Sequence, residues 1–244
     1  MLLLIAAVFG IAGFVKGVIG LGLPTVSMGL LAVAMTPLQA LTIVIVPAIV
    51  TNIWQTFAGP YLGDIVRRLW PLLLGTGFGI WGAGPLMAGP YARYAAMALG
   101  LLLVIYALLG LMRLQFRTAP RNEKWVGGIV GLVSGVIAAA TGIQVIPSMP
   151  YLQSIGMEKD ELVQALGVFF TVATVAQAFN LTTVGLLNAS TALPGAVAMG
   201  AAFSGMFAGQ AIRKRMHPEK FRRWFLVAML VLGCYLAVSA IASL

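Results

Sequence analysis

The chain has 244 residues, of which 61% are hydrophobic and only 9% charged. A soluble domain carries about 25% charged residues, so this composition excludes a water-soluble globule and leaves a single integral membrane domain. The formal charge of +9 does not indicate nucleic acid, because most Lys and Arg lie in short loops beside apolar runs, where they orient membrane spans.

In chain order, the first 35 residues form a long apolar region broken in its middle by Gly20-Leu-Gly22-Leu-Pro24. It lacks a basic n-region and outruns a signal peptide, which predicts a retained membrane segment. Three plain spans follow, over Leu38–Phe57, Trp70–Gly89 and Ala92–Met112. Each has the ~20 residues that a helix needs to cross the hydrocarbon. A polar linker over Arg113–Lys124 closes the first half. A second broken apolar region, Trp125–Gly156, is interrupted at Thr141-Gly142, Pro147 and Pro150. Three more spans are expected over Leu162–Asn180, Ala192–Ile212 and Trp224–Leu244. Each broken region is too short for two ordinary spans and too long for one, so it either dips in and returns or crosses twice.

The same pattern occurs twice. Gly13, Gly17 and Gly22 are answered by Gly131, Gly135 and Gly142, Pro24 by Pro147, Asn52 and Gln55 by Thr174 and Gln177, and Gly82 by Gly205. Two apolar halves of this kind are a signature of secondary transporters, whose repeats move about a site at the membrane midplane. Loop charge adds a direction. Pro60–Leu69 carries Arg67 and Arg68, while its partner Leu181–Ser190 is neutral; the loop at Arg93 is poor in charge, while Arg213–Arg223 is rich. Basic loops face the cytoplasm. The expectation is therefore an all-α integral membrane protein of two inverted-topology repeats, 1–112 and 125–244, joined by a cytoplasmic linker over 113–124. Each repeat has one broken or re-entrant helical region plus three transmembrane helices, and both termini lie outside.

Lys16 is the only formal charge well inside an apolar segment. About 21 Å of helix separates it from Leu2 at 1.5 Å per residue. A charge near the bilayer centre costs at least ~2.5–3.5 kcal/mol, which marks a functional site by default; the bland alternative is a lysine capping carbonyls at the break. All six acids lie in loops or at their edges, so the natural partner of Lys16 is an anion. Neutral donors cluster near the breaks, namely Thr25 and Ser27 at the first and Gln144 and Ser148 at the second. Asn52 and Gln55 share one helical face, and so do Gln164, Thr171, Thr174 and Gln177. Such groups replace the water shell of an oxyanion, or simply join helices to one another. The glycine runs read as close helix contacts. His217 is the only histidine, so neither a zinc pair nor a His-paired nucleophile can be assembled; no enzyme, metal or cofactor is expected.

Four stretches carry a resemblance: Lys16-Gly-Val-Ile-Gly-Leu-Gly-Leu-Pro-Thr, Val50-Thr-Asn-Ile-Trp-Gln, Thr141-Gly-Ile-Gln-Val-Ile-Pro and Leu162-Val-Gln-Ala-Leu-Gly. With the tandem halves and the basic Arg213–Arg223 loop, they make the chain similar to the sulfite exporter TauE/SafE family of bacterial permeases over nearly its whole length. Many members have three or four consecutive glycines at each break, where this chain has Gly20-Leu-Gly22 and Ala138-Ala-Ala-Thr-Gly142. The resemblance implies outward transport of sulfite or organosulfonates across the inner membrane. Its partners would be a small anion and the lipid bilayer, with a homo-oligomer left open. A passive anion channel and a non-transporting scaffold or sensor subunit are the rival classes.

Overall fold

A computed structural model describes residues 1–20, 22–84, 94–112, 117–183, 185–186, 192–213 and 218–242. Among them every regular element is helical. The helices are α1 (Leu2–Ile19), α2 (Leu23–Leu31), α3 (Pro37–Phe57), α4 (Leu62–Ala83), α5 (Ala95–Met112), α6 (Glu123–Thr141), α7 (Ser148–Ser154), α8 (Lys159–Thr183), α9 (Ala192–Arg213) and α10 (Pro218–Ala242). Seven are long and apolar enough to cross a membrane: α1, α3, α5, α6, α8, α9 and α10. The 22-residue α4 falls outside that set because Asp64, Arg67 and Arg68 occupy its first turns and glycines dilute the rest.

Local chemistry explains the boundaries. Gly20 ends α1 at φ 86° and returns its N–H to the Lys16 carbonyl. Gly142 ends α6 in the same way at φ 75°, with its N–H on Ala138. Both are left-handed positions that a side chain disfavours, which is why each break carries a glycine. Pro24 sits in the first turn of α2, where its missing N–H costs nothing. Thr36 and Gln39 form a reciprocal capping box at the start of α3. The Ile146–Pro147 peptide is cis.

Two observed boundaries differ from the sequence expectations. Pro60–Leu69 is not a loop, because α4 already starts at Leu62. Likewise α10 begins at Pro218, so Arg222 and Arg223 lie on its first turns. The two broken regions resolve as a full-length helix followed by a short one, α1 with α2 and α6 with α7. Finally, the packing does not use the match drawn between Gly82 and Gly205. A Cβ at Gly205 would meet the Gly10 carbonyl on α1, and the corresponding glycine on α4 is Gly75, which meets Gly128 on α6; Gly82 faces open space. Expectations for Arg93, Arg113, Lys214, Arg215 and His217 fall outside the described residues.

Helix packing is closest where the glycines predicted it. A Cβ at Gly13 or Gly17 would collide with the Ala202 or Met206 carbonyl, so α1 runs alongside α9 in the same direction at backbone contact. A Cβ at Gly131 or Gly135 would collide with the Leu72 or Thr76 carbonyl, so α6 runs alongside α4 in the same way. Such approaches are built from small residues because lipid supplies no hydrophobic drive between helices. Gly10 and Gly77, in the same runs, have nothing within 4 Å of a Cβ. Helices α5 and α10 are antiparallel, with Gly110 against Leu226 and Gly100 against Ala237. The end of α3 meets the beginning of α8 through Thr56–Thr171 and Gln55–Val163. Helix α4 runs with α8, joined by Arg68 to Glu161 at one end and by Asn180 to the Ile80 carbonyl at the other.

Candidate functional site

The last turn of α1 carries Lys16 into the bundle, where it is 5% exposed. Its Nζ donates to Thr51 Oγ1 at 3.1 Å and to Asn52 Oδ1 at 2.6 Å, both on α3. Thr51 passes its own proton to the Pro47 carbonyl at 2.8 Å, so its oxygen is free to accept from Lys16. Pro47 lies inside α3 one turn before Thr51 and offers no N–H to the Ile43 carbonyl. The two recorded ion pairs both use Arg68, with Glu123 and Glu161, so no described carboxylate pairs with Lys16.

An ammonium has three donors, and the described partners of Lys16 occupy two. Asn52 is wholly buried; its Oδ1 accepts from Lys16 while its Nδ2 has no partner. A buried, unpaired amide N–H costs about 1–3 kcal/mol. Unspent donors on Lys16 and Asn52 therefore sit together, without a described acid, in a buried interior. That arrangement is complementary to an oxyanion and repels a second cation.

The remaining predicted residues divide by how their donors are used. Gln55 Nε2 bonds the Gly20 carbonyl at 3.2 Å and the Val163 carbonyl at 2.7 Å, tying the first break to α8. Gln177 Nε2 bonds the Ala138 carbonyl at 2.6 Å, and its Oε1 accepts from Gln144 Nε2 at 2.6 Å, tying the second break to α8. Gln144 Oε1 is buried and unpartnered. Ser27, Ser148 and Thr174 each return their hydroxyl proton to the carbonyl four residues earlier, on Leu23, Gln144 and Phe170. In that rotamer they offer lone pairs to a neighbour, not a proton. Thr25 is 3% exposed on α2.

Gln164 does not join this group. Its Nε2 bonds the Thr56 and Gly59 carbonyls and its Oε1 accepts the Tyr61 N–H, so it holds the α3–α4 turn. Two residues escaped the sequence reading. Thr51 is the second acceptor of Lys16, next to Asn52 in sequence. Ser134 lies 118 residues after Lys16, the same offset that relates Gly13 to Gly131, and its fully buried hydroxyl has no partner. That offset was the available signal.

The seven long apolar helices define a multi-pass membrane protein. The chain belongs to the sulfite exporter TauE/SafE family, whose family model matches residues 4–236. No curated protein and no solved structure matches it. Membership brings a family of sulfur-anion exporters rather than of enzymes.

Proposed function

We propose that the protein exports a small sulfur-containing oxyanion, such as sulfite or an organosulfonate, across the bacterial inner membrane, with the anion held between Lys16 and Asn52. One observation carries this reading: a buried ammonium without a carboxylate partner bonds Asn52, whose own N–H is unpaired. Gln55 braces the break behind Lys16, and Gln144, Ser148, Thr174 and Gln177 would have to turn from their present internal bonds to reach the anion. Thr25 on α2 is a further donor.

The two halves act as inverted repeats that rock about this site. Helix directions support the inversion. The corresponding helices α5 and α10 are antiparallel, and the end of α3 meets the beginning of its counterpart α8, while α1 runs with α9 and α4 with α6 and α8. The same directions bring Arg68, Arg117, Arg222 and Arg223 to one end, which the positive-inside rule makes cytoplasmic, leaving both termini outside. Lys16 is 5% exposed, as an occluded carrier requires. Export of a monoanion from a negative interior is favoured by about 2.3 kcal/mol per 100 mV, so facilitated efflux needs no carboxylate proton relay.

Proteoliposomes loaded with sulfite test the site. Efflux should fall at least ~10-fold with Lys16→Ala and stay low with Lys16→Gln. Undiminished efflux from Lys16→Ala vesicles would remove the lysine from the mechanism. For the topology, single cysteines at Gly63 and Leu186, in a Cys234→Ser background, should react with an impermeant maleimide from opposite faces. Labelling of both from one face contradicts inversion.

A further inference from the structure

At the basic end lies a cavity of about 1310 Å³, separate from the Lys16 site. Its walls come from α4, the end of α5, the chain entering α6, α7 and the start of α10. Four arginines line it, Arg68, Arg117, Arg222 and Arg223, against one acid, Glu123. Arg68 is already engaged. It grips Glu123 through Nε at 2.9 Å and Nη2 at 2.8 Å, and Nη2 also bonds the Ile155 carbonyl at 2.8 Å. That fork neutralises the only described acid in the lining. Arg117, Arg222 and Arg223 have no carboxylate partner among the described residues.

Three further arginines line one concavity, and the one described acid in that lining is held by Arg68. Each presents the planar N–H fork that matches phosphate and sulfonate oxygens. Ser154 and Gln153 of α7 add neutral polar groups to the same wall. The helix α7 is also the outer end of the second break, since Ser148 at its first turn bonds Gln144. The cavity therefore adjoins the broken segment leading inward.

We propose that this cavity is a second anion site, in which Arg117, Arg222 and Arg223 hold an oxyanion of the phosphate or sulfonate kind. Two sources share that chemistry: a soluble oxyanion collected before it moves inward, and the phosphate of an anionic lipid headgroup between α5 and α10. The inference does not require Lys16 to bind anything.

The test uses the full-length protein in nanodiscs and the variant Arg117→Gln/Arg222→Gln/Arg223→Gln, with the corresponding triple Lys variant as a charge-retaining control. In phosphatidylcholine nanodiscs, sulfite and inorganic phosphate are titrated calorimetrically in a Lys16→Ala background, which removes the inner site. A soluble-anion site predicts binding that the Gln variant weakens at least tenfold, that the Lys variant partly keeps, and that added salt suppresses. In the second arm, cardiolipin retained through purification is counted by native mass spectrometry. A headgroup site predicts retention that falls by more than half in the Gln variant while sulfite binding is absent throughout. If the Gln variant folds with an unchanged thermal midpoint and matches its parent in both arms, the site does not exist. Because the first arm lacks Lys16, failure of the lysine-centred export reading leaves its outcome untouched.

Discussion

The two breaks begin alike and end one helical turn apart. Aligned on the glycines that meet α9 and α4, Lys16 corresponds to Ser134 and Gly20 to Ala138. In the first half the helix stops at Ile19, just past Lys16; in the second it runs on to Thr141 before Gly142 turns it. A glutamine from the flanking helix reaches the equivalent carbonyl in each case, Gln55 on Gly20 and Gln177 on Ala138. The consequences differ. Ala138 also accepts the Gly142 N–H, whereas Gly20 lies outside its helix and depends on Gln55. The early stop leaves the Gly20 carbonyl, one turn past Lys16, to be bonded by Gln55. The later stop buries a serine hydroxyl with nothing to bond. The comparison teaches that two similar helix breaks take on different chemistry according to where each helix stops.

This comparison can be broken experimentally. The largest effect belongs to Lys16. A hydrogen bond to a charged group is worth about 1.5–3 kcal/mol, so Lys16→Ala should slow sulfite efflux by at least ~10-fold. Next come the glycines at backbone contact. Gly13→Val and Gly131→Val should each destabilise the protein by about 1–3 kcal/mol or more, read as similar drops in thermal midpoint in detergent. A large drop for one and none for the other would show that the two helix pairs are not equivalent. Smaller still, Gln55→Leu strands the Gly20 carbonyl and Gln177→Leu strands the buried Gln144 amide, so each should lower stability by about 1–3 kcal/mol. An unchanged thermal midpoint for either variant would contradict the bridging role given to that glutamine. The smallest effect is that of Ser134→Ala. Removing an unpaired buried hydroxyl should leave efflux within about twofold and hold or raise the thermal midpoint. Efflux lost at Ser134 would place both halves in the anion site.

Much of the fold was legible because its signals are local. Apolar runs of span length, glycine with proline at two positions, and one lysine far from any loop can each be read without knowing what they touch. The basic ends were legible too, although α4 and α10 start earlier than hydropathy suggested. Amphipathic first turns bearing Asp64, Arg67, Arg68, Arg222 and Arg223 read as loops when only apolarity is counted. The mirrored amides Gln55 and Gln177, read from the sequence as anion donors or as ties between helices, bond the Gly20 and Ala138 carbonyls. Gln164 shares a helical face with Thr174 and Gln177 but lies at the other end of that face, where it meets the α3–α4 turn.

Composition and pattern alone therefore determined the membrane class, the helical segments, the paired breaks and the single buried cation. Tertiary structure decided which groups answer that cation, which glycines meet which carbonyls, and which arginines remain without an acid. Hydropathy and periodicity act over one or two turns of helix. Hydrogen-bond partners are chosen by faces that meet only after residues more than 100 apart in sequence have packed, as Gln55 and Val163 do.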